Sequence, residues 1–261
     1  MSTLKVAAVQ FDIQWLNKKA NLETLEQMLR QFFLNNSVDL LLLPETFSTG
    51  FCTDDRSVQE PQNGGEDLIW LKKISKKYNC VVAGTVFVNQ GDKKANRFYW
   101  VSADSSVEYY DKRHLFRLGN EGDFVSQGTQ RKIFEIKGIK ILPQVCYDLR
   151  FPVWSRNKQD YDLMVNVANW PAVRRNIWDT LLKARAIENQ AYVIGVNRVG
   201  IDGRGTDHSG GTCFVDFVGE SLISAEDNKQ QVISVELDFS ELVRFKKDFP
   251  AFLDADIFEI C

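Results

Sequence analysis

The sequence has 261 residues, of which 44% are hydrophobic and 26% are charged, with a formal net charge of -3 and a pI of about 5.6. These proportions are ordinary for globular proteins and exclude a disordered or fibrous chain. The chain lacks the excess of Lys and Arg that a nucleic-acid surface requires, so no nucleic-acid partner is expected. It has no uninterrupted apolar stretch of about 18 residues, which predicts no membrane span.

Apolar runs rich in β-branched residues predict eight strands. In chain order they are Leu4–Val9, Leu40–Leu43, Val81–Val88, Phe98–Val101, Ile139–Val145, Leu163–Val167, Tyr192–Val196 and Cys213–Phe217. Apolar residues at helical spacing predict helices over Ala20–Phe33 and Asp179–Gln190. Some neighbouring strands have no helix between them, which indicates a mixed-sheet α/β fold. No linker-like segment divides the chain, so we expect one domain over residues 1–261.

The cysteines indicate the redox state of the protein. They are odd in number and widely spaced: Cys52, Cys80, Cys146, Cys213 and Cys261. A chain of this size does not need disulfides, so we expect free thiols. The first apolar run lacks the pattern of a signal peptide, and we expect a cytoplasmic protein.

Glu45 is the first candidate for chemistry. It follows an apolar strand and a proline in LLLPETF, where the proline cannot continue a central ladder. A carboxylate just past a buried strand is partly desolvated, which suits it to general-base catalysis. An exposed loop glutamate is the alternative that this motif leaves open.

Lys112 follows a strand-like stretch in YYDKRHLF. An ammonium group at a strand end can stabilise an oxyanion, since it places positive charge where a tetrahedral intermediate develops negative charge. The alternative is a surface lysine paired with Asp111.

Cys146 is the one cysteine at a predicted strand-to-helix turn, in ILPQVCYDLRFP, with a helix expected from about Phe151. Such a turn exposes a nucleophile and points backbone N–H groups and a helix dipole at it, which would lower the pKa of the thiol. For any cysteine, burial in an apolar core is the alternative. Asp148 and Arg150 are predicted to pair and hold this turn, as are Arg185 and Glu188 in the later helix.

Together these motifs resemble the nitrilase superfamily of carbon–nitrogen hydrolases. The resemblance extends from KVAAVQFDIQW through LPETF, YDKRHLF and VCYDLRFP to ANWPAVRRNIWDTLLKARAIENQAYVIGVNRVG. It implies a four-layer α-β-β-α sandwich of two mixed sheets and a homodimer, with the helix of Arg185 at the interface.

The resemblance also implies site roles. Glu45 is the general base, Lys112 supports the intermediate, Cys146 is the nucleophile, and Glu121, seven positions before Gly128, positions Lys112 and the substrate. The reaction is acyl transfer through a thioester, with the backbone N–H of Tyr147 as a second oxyanion donor and with no metal or organic cofactor.

LPETFSTGF, KRHLFRLGNE and NWPAVR look most like the omega-amidase branch, whose substrates are small 2-oxo acid amides such as 2-oxoglutaramate and 2-oxosuccinamate. Such a substrate carries a remote carboxylate, for which Arg174 is the candidate partner. A surface arginine at the start of a helix is the alternative. Phe116, Tyr147 and Trp170 are candidates for lining the substrate pocket.

Three other functions stay open. A cysteine protease of the papain type needs a histidine base, and only His114 and His208 are available. A non-catalytic binding protein of the same fold is possible, although it would be expected to have lost a catalytic residue. A nitrilase, an N-carbamoyl amino acid hydrolase or an aliphatic amidase would keep Glu45, Lys112 and Cys146 and change the substrate.

Overall fold

Most of the long strands are apolar on both faces, so each sheet has to be covered on both sides. A computed structural model describes residues 3–259. Its strands are β1 Thr3–Gln10, β2 Leu40–Leu42, β3 Val81–Gln90, β4 Lys93–Val101, β5 Val107–Asp111, β6 Phe134–Ile136, β7 Ile139–Val145, β8 Leu163–Ala168, β9 Tyr192–Asn197, β10 Val199–Ile201, β11 Asp207–Ser209, β12 Cys213–Val215, β13 Ser221–Ser224 and β14 Gln231–Asp238. Its α-helices are α1 Lys18–Phe32, α2 Glu66–Tyr78, α3 Glu121–Phe124, α4 Pro152–Ser155, α5 Arg175–Asn189 and α6 Phe239–Asp248.

Two six-stranded sheets form the centre of the molecule. The first has the strand order β14-β1-β2-β3-β4-β5, and the second has the order β13-β12-β9-β8-β7-β6. In each sheet two neighbouring pairs are parallel, β1/β2 and β2/β3 in the first and β7/β8 and β8/β9 in the second. The remaining pairs are antiparallel, so both sheets are mixed, as predicted. A short hairpin of β10 and β11 lies apart from them.

Three apolar cores separate four layers. The core between the sheets joins residues of both, such as Val6 and Trp100 with Val145 and Val165. A second core packs α1 and α2 on the outer face of the first sheet. A third packs α5 on the outer face of the second sheet through Trp178 and neighbouring residues. The α-β-β-α sandwich expected from the resemblance is therefore confirmed.

Several sequence predictions need correction. The eight predicted strands are present, but β14 was missed because its burial is only partial where it pairs with β1 at an edge. The short strands β6, β10, β11 and β13 and the helices α2 and α6 were also missed. A 3₁₀ turn, Cys146–Arg150, directly follows β7, and the expected helix is the single turn α4.

Two further findings concern disulfide bonds and membrane-spanning helices. Within residues 3–259 the cysteines Cys52, Cys80, Cys146 and Cys213 form no disulfide. Cys261 lies outside the described residues. No α-helix in the described part of the chain combines the length and apolarity needed to cross a bilayer.

Candidate active site

Glu45, Lys112 and Cys146 lie just beyond the ends of three strands. Glu45 follows β2 and Lys112 follows β5, both in the first sheet, whereas Cys146 follows β7 in the second sheet. The packing of the two sheets brings these ends together. Cys146 has a φ of 46°, as does Thr46 directly after Glu45. Positive φ values strain residues other than glycine, and such strain often marks a functional turn.

Lys112 lies between two buried carboxylates. Its Nζ is 3.1 Å from Glu45 Oε1 and 3.0 Å from Glu121 Oε1, and all three side chains are 0% exposed. Burial by itself lowers the pKa of Lys112, but Glu121 and Glu45 outweigh it and raise that pKa above its usual value. Burial raises the pKa of Glu121, which Lys112 partly offsets. The site therefore favours an ammonium group on Lys112 at the cavity wall.

The carboxylate of Glu45 is held from both sheets. Asn96 Nδ2 donates to its Oε1 at 2.8 Å, and the backbone N–H of Asn169 donates to its Oε2 at 2.9 Å. Asn169 Nδ2 also donates to the backbone oxygen of Glu45 at 2.7 Å. These bonds set the rotamer of Glu45 before any substrate binds. The exposed loop glutamate considered from the sequence is excluded.

Cys146 is the first residue of its 3₁₀ turn and borders the cavity. Burial raises the pKa of its thiol well above the ordinary value, and the charge of Glu45 raises it further. The lowered pKa expected from the turn is therefore wrong, since desolvation and the adjacent carboxylate outweigh the positive charge of Lys112. A neutral thiol needs a base to become a nucleophile, and Glu45 is placed to accept its proton.

The expected pair of Asp148 and Arg150 is also wrong. Asp148 Oδ2 accepts hydrogen bonds from Tyr110 Oη at 2.8 Å and from the Val145 N–H at 3.0 Å, and its Oδ1 is bound by His114. Asp148 is thus fully occupied behind the turn. The Arg150 guanidinium lies on the other side, 5.0 Å above the Trp170 ring at the cavity.

Two other predicted pairs have clear outcomes. Arg185 Nη1 donates to Glu188 Oε1 at 2.8 Å, which confirms the pair, and Arg185 also donates to the Leu149 backbone oxygen from Nη2 at 2.8 Å. Arg185 therefore anchors the turn that follows Cys146. The alternative partner of Lys112, Asp111, is instead bound by Arg97 at 2.7 and 2.9 Å.

A cavity of about 220 Å³ opens beside Cys146. This is below the roughly 300–1,000 Å³ of pockets for drug-sized ligands, which favours a small substrate. The sequence-predicted site residues on its wall are Glu45, Lys112, Phe116, Cys146, Tyr147, Trp170 and Arg174. Glu121 lies behind Lys112 rather than on the wall.

Two arginines offer positive charge to this cavity. Arg174 lies 5.5 Å above the Phe116 ring, and Arg150 lies above Trp170. Within residues 3–259 neither guanidinium has a carboxylate partner or a hydrogen-bond acceptor, although both are only partly exposed. Both are therefore available to an anionic group of a ligand.

Neither histidine is placed to act as a base for Cys146. His114 Nδ1 is 2.8 Å from Asp148 Oδ1, and its ring stacks on Phe151 at 3.8 Å, so His114 supports the turn that follows Cys146. His208 lines the cavity, where burial and then the charge of Arg198 lower its pKa to about 4. The charged groups that shift the pKa of the Cys146 thiol are Glu45, Lys112 and Glu121, and neither histidine is among them.

Sequence reasoning missed several residues of the site. Asn96 and Asn169 hold Glu45, and Arg150 had been assigned to the turn. The hairpin of β10 and β11 adds Asp202, Arg204, Thr206 and His208 to the wall. Only Asn96 could have been found from the sequence. It is a polar residue at the same alternation as the apolar Phe98 and Trp100, so it shares their face of the strand.

A thiol beside a carboxylate base and an ammonium group forms the machinery of a cysteine-dependent acyl-transfer enzyme. Here that machinery lies between two mixed sheets covered by helices on both sides. The chain belongs to the carbon–nitrogen hydrolase family, whose model matches residues 5–247.

Individual relatives agree with this assignment. The chain is 44% identical over 258 residues to "Omega-amidase YafV" of Yersinia enterocolitica, covering 99% of each chain. It is 31% identical over 257 residues to "2-oxoglutaramate amidase" of Bacillus subtilis, covering 95% of this chain and 96% of the relative. A solved structure from Xanthomonas campestris, described as a CN-hydrolase superfamily protein with an arsenic adduct in the active site, has a TM-score of 0.95 and 36% identity and covers 100% of both chains.

Proposed function

We propose that this protein is an omega-amidase, which hydrolyses the terminal amide of a small 2-oxo acid amide, 2-oxoglutaramate or 2-oxosuccinamate, to the 2-oxo acid and ammonia. The observation that carries the proposal is a Glu–Lys–Cys cluster facing a small cavity with two arginines, Arg150 and Arg174, that have no ionic partner among residues 3–259. Two relatives named for these activities, omega-amidase and 2-oxoglutaramate amidase, support the choice of substrate.

In the first half-reaction Glu45 takes the proton of the Cys146 thiol, and Sγ attacks the amide carbon. The oxyanion that forms is stabilised by Lys112 Nζ and by the N–H of Tyr147. That N–H is one of the first amides of the 3₁₀ turn and has no acceptor within it. Glu45 then returns its proton to the leaving nitrogen, ammonia departs, and an acyl-thioester remains on Cys146.

In the second half-reaction Glu45 removes a proton from water, and the resulting hydroxide attacks the thioester carbon. The second oxyanion uses the same two donors, Lys112 and Tyr147. When it collapses, the carbon–sulfur bond breaks, and the Cys146 thiolate recovers a proton from Glu45. The 2-oxo acid leaves, and the resting thiol is restored.

The remote carboxylate of the substrate is assigned to Arg174. Its guanidinium faces the cavity from the segment that precedes α5, on the Phe116 side. A planar guanidinium binds a carboxylate with two parallel hydrogen bonds, which gives orientation as well as affinity. Arg150 adds positive charge to the same cavity.

The test is ammonia release from 2-oxoglutaramate, 2-oxosuccinamate, a nitrile, an N-carbamoyl amino acid and a simple aliphatic amide, each at matched concentrations. We expect the two 2-oxo acid amides to have the highest kcat/KM. Preference for any of the other three would reject the omega-amidase assignment while leaving the cysteine mechanism in place.

The covalent step has its own test. After a rapid acid quench, intact-mass measurement should show the acyl adduct on the native chain and none on Cys146→Ala. Cys213→Ala is the matched control, because Cys213 is a buried free thiol packed against α5 rather than on the cavity wall. Unchanged turnover after alkylation of Cys146 would reject this residue as the nucleophile, whereas no turnover of any of the five compounds would favour a non-catalytic binding protein of the same fold.

We further propose that the enzyme is a cytoplasmic homodimer. Free cysteines within the described residues suit a reducing compartment. The outer surface of α5 exposes Ile187, which is 55% accessible and would be covered in a dimer. Sedimentation equilibrium would measure the mass, and Ile187→Asp should lower it if α5 forms the interface.

A further inference from the structure

Asn96 is a polar residue in an otherwise apolar layer. Alternate residues of a strand share a face, so Asn96 lies on the same face of β4 as Phe98 and Trp100, which pack in the core between the sheets. Asn96 itself is 0% exposed. A buried amide costs free energy unless it is hydrogen-bonded, so its contacts define what it does there.

Asn96 contacts both the base and the cation of the site. Its Nδ2 donates to Glu45 Oε1 at 2.8 Å, and its backbone oxygen accepts the N–H of Lys112 at 3.0 Å. The orientation of the amide is determined by chemistry, since turning it around would set Oδ1 against a carboxylate oxygen with no proton to share. Asn96 Oδ1 is left without a partner among residues 3–259.

The two oxygens of Glu45 are therefore occupied unequally. Oε1 accepts from Asn96 and, at 3.1 Å, from Lys112. Oε2 accepts one strong bond, from the N–H of Asn169 at 2.9 Å, and a long one of 3.5 Å from Asn169 Nδ2. Each carboxylate oxygen offers two lone pairs. Oε1 is saturated, whereas Oε2 retains the capacity to accept another proton donor.

We infer that Asn96 is a positioning residue, which saturates Oε1 of Glu45 so that Oε2 receives the proton of Cys146. This inference rests on the proposed role of Glu45 as the base. The titratable groups that face Glu45 are Lys112, Glu121 and Cys146. From β4, the uncharged side chain of Asn96 also contacts Glu45.

Asn96→Leu tests the inference, because it removes the donor and keeps a side chain of similar size. A hydrogen bond to the charged form of a carboxylate favours that form. We therefore expect the acid limb of the pH profile of kcat/KM to move to higher pH by about one unit. Most of the rate should be recovered on the alkaline side of this profile. The same limb should move in the inactivation of Cys146 by iodoacetamide, which needs no amide substrate.

Asn21→Leu is the matched control. Asn21 is also 0% exposed, but its Nδ2 donates only to the backbone oxygens of Gln14 and Ser48, each at 2.8 Å. Its replacement should lower the unfolding temperature and leave the acid limb in place. A rate loss in Asn96→Leu that is uniform at every pH, with an unmoved limb, would show that Asn96 is merely structural and overturn the inference.

The two readouts separate this inference from the proposed function. A shifted limb in alkylation together with no turnover of 2-oxo acid amides would support the role of Asn96 and reject the substrate. Turnover of those amides with an unshifted limb would support the substrate and reject the role of Asn96. If Asn96→Leu does not fold, Asn96→Ala, which also removes the donor, is measured by alkylation, and an acid limb at the native pH would overturn the inference.

Discussion

Replacing Asp148 by Asn tests the idea that this residue joins the nucleophile turn to the segment that carries Lys112. Asp148 Oδ1 is bound by the backbone N–H and the ring Nδ1 of His114, both at 2.8 Å. Its Oδ2 accepts from Tyr110 Oη at 2.8 Å and from the N–H of Val145 at 3.0 Å. Tyr110 and His114 flank Lys112, and Val145 directly precedes Cys146, so one carboxylate links both segments.

The magnitude follows from these four contacts. Whichever oxygen becomes the amide nitrogen, one backbone N–H loses its acceptor, that of His114 or that of Val145. A tyrosine hydroxyl or a histidine ring can exchange donor and acceptor roles, but a backbone N–H cannot. A buried unsatisfied donor costs about 1–3 kcal/mol, and the lost charge weakens the remaining bonds. We expect the free energy of unfolding to fall by about 2–4 kcal/mol.

Urea unfolding with linear extrapolation measures this change. Turnover should also fall by about 10–100-fold, because a small displacement of the Cys146 turn relative to Lys112 disturbs the reacting geometry. Asp67→Asn serves as the matched control, since the same exchange of a buried carboxylate for an amide should there raise the free energy of unfolding. An Asp148→Asn variant with native unfolding free energy and native turnover would refute the proposed link.

Three further predictions concern charge. Asp67 and Glu60 share the ammonium group of Lys18, and burial raises the pKa of Asp67 to about 6. The folded state therefore binds an extra proton between about pH 4 and pH 6, and stability falls as pH rises through that window. Asp67→Asn should remove this slope in urea titrations and raise the free energy of unfolding at pH 7 by up to about 3 kcal/mol. Lys112→Ala leaves the buried carboxylates of Glu45 and Glu121 without a cation, so the free energy of unfolding at pH 8 should fall by about 3–5 kcal/mol. A smaller fall at pH 4 would show that the carboxylate charges are the cause. Arg174→Ala should raise KM for 2-oxoglutaramate far more than for a neutral amide in steady-state assays, and equal effects on both would exclude the carboxylate contact.

The fold was predictable where burial is complete. Strand β7 begins and ends at Ile139 and Val145 as its continuous apolar run predicts. By contrast, only Ile233 and Leu237 of β14 are buried at the edge of its sheet, and α6 presents a polar face to solvent. Their patterns are weaker because fewer of their side chains lie in a core.

The site was predictable only in part. Glu45, Lys112 and Cys146 each follow a strand, and this is visible in the sequence. The partners of Asp148 and Asn96 are not visible, since Tyr110 lies 38 positions from Asp148 and Glu45 lies 51 positions from Asn96. Sequence reasoning instead gave Asp148 its nearest cation, Arg150. The two side chains leave the 3₁₀ turn in different directions, one into the core and one toward the cavity.

The contacts across the sheets bear on how a neutral thiol could serve as the proposed nucleophile. Asn169, which follows β8 in the second sheet, holds Glu45 of the first, and Asp148 of the second sheet is held by Tyr110 of the first. The proposed base and the turn that carries the thiol are therefore positioned by folding rather than by substrate. A pre-organised site needs little rearrangement when charge develops, so a proton transfer from Cys146 to Glu45 can accompany attack without a stored thiolate. The raised pKa of Cys146 is then compatible with the proposed mechanism.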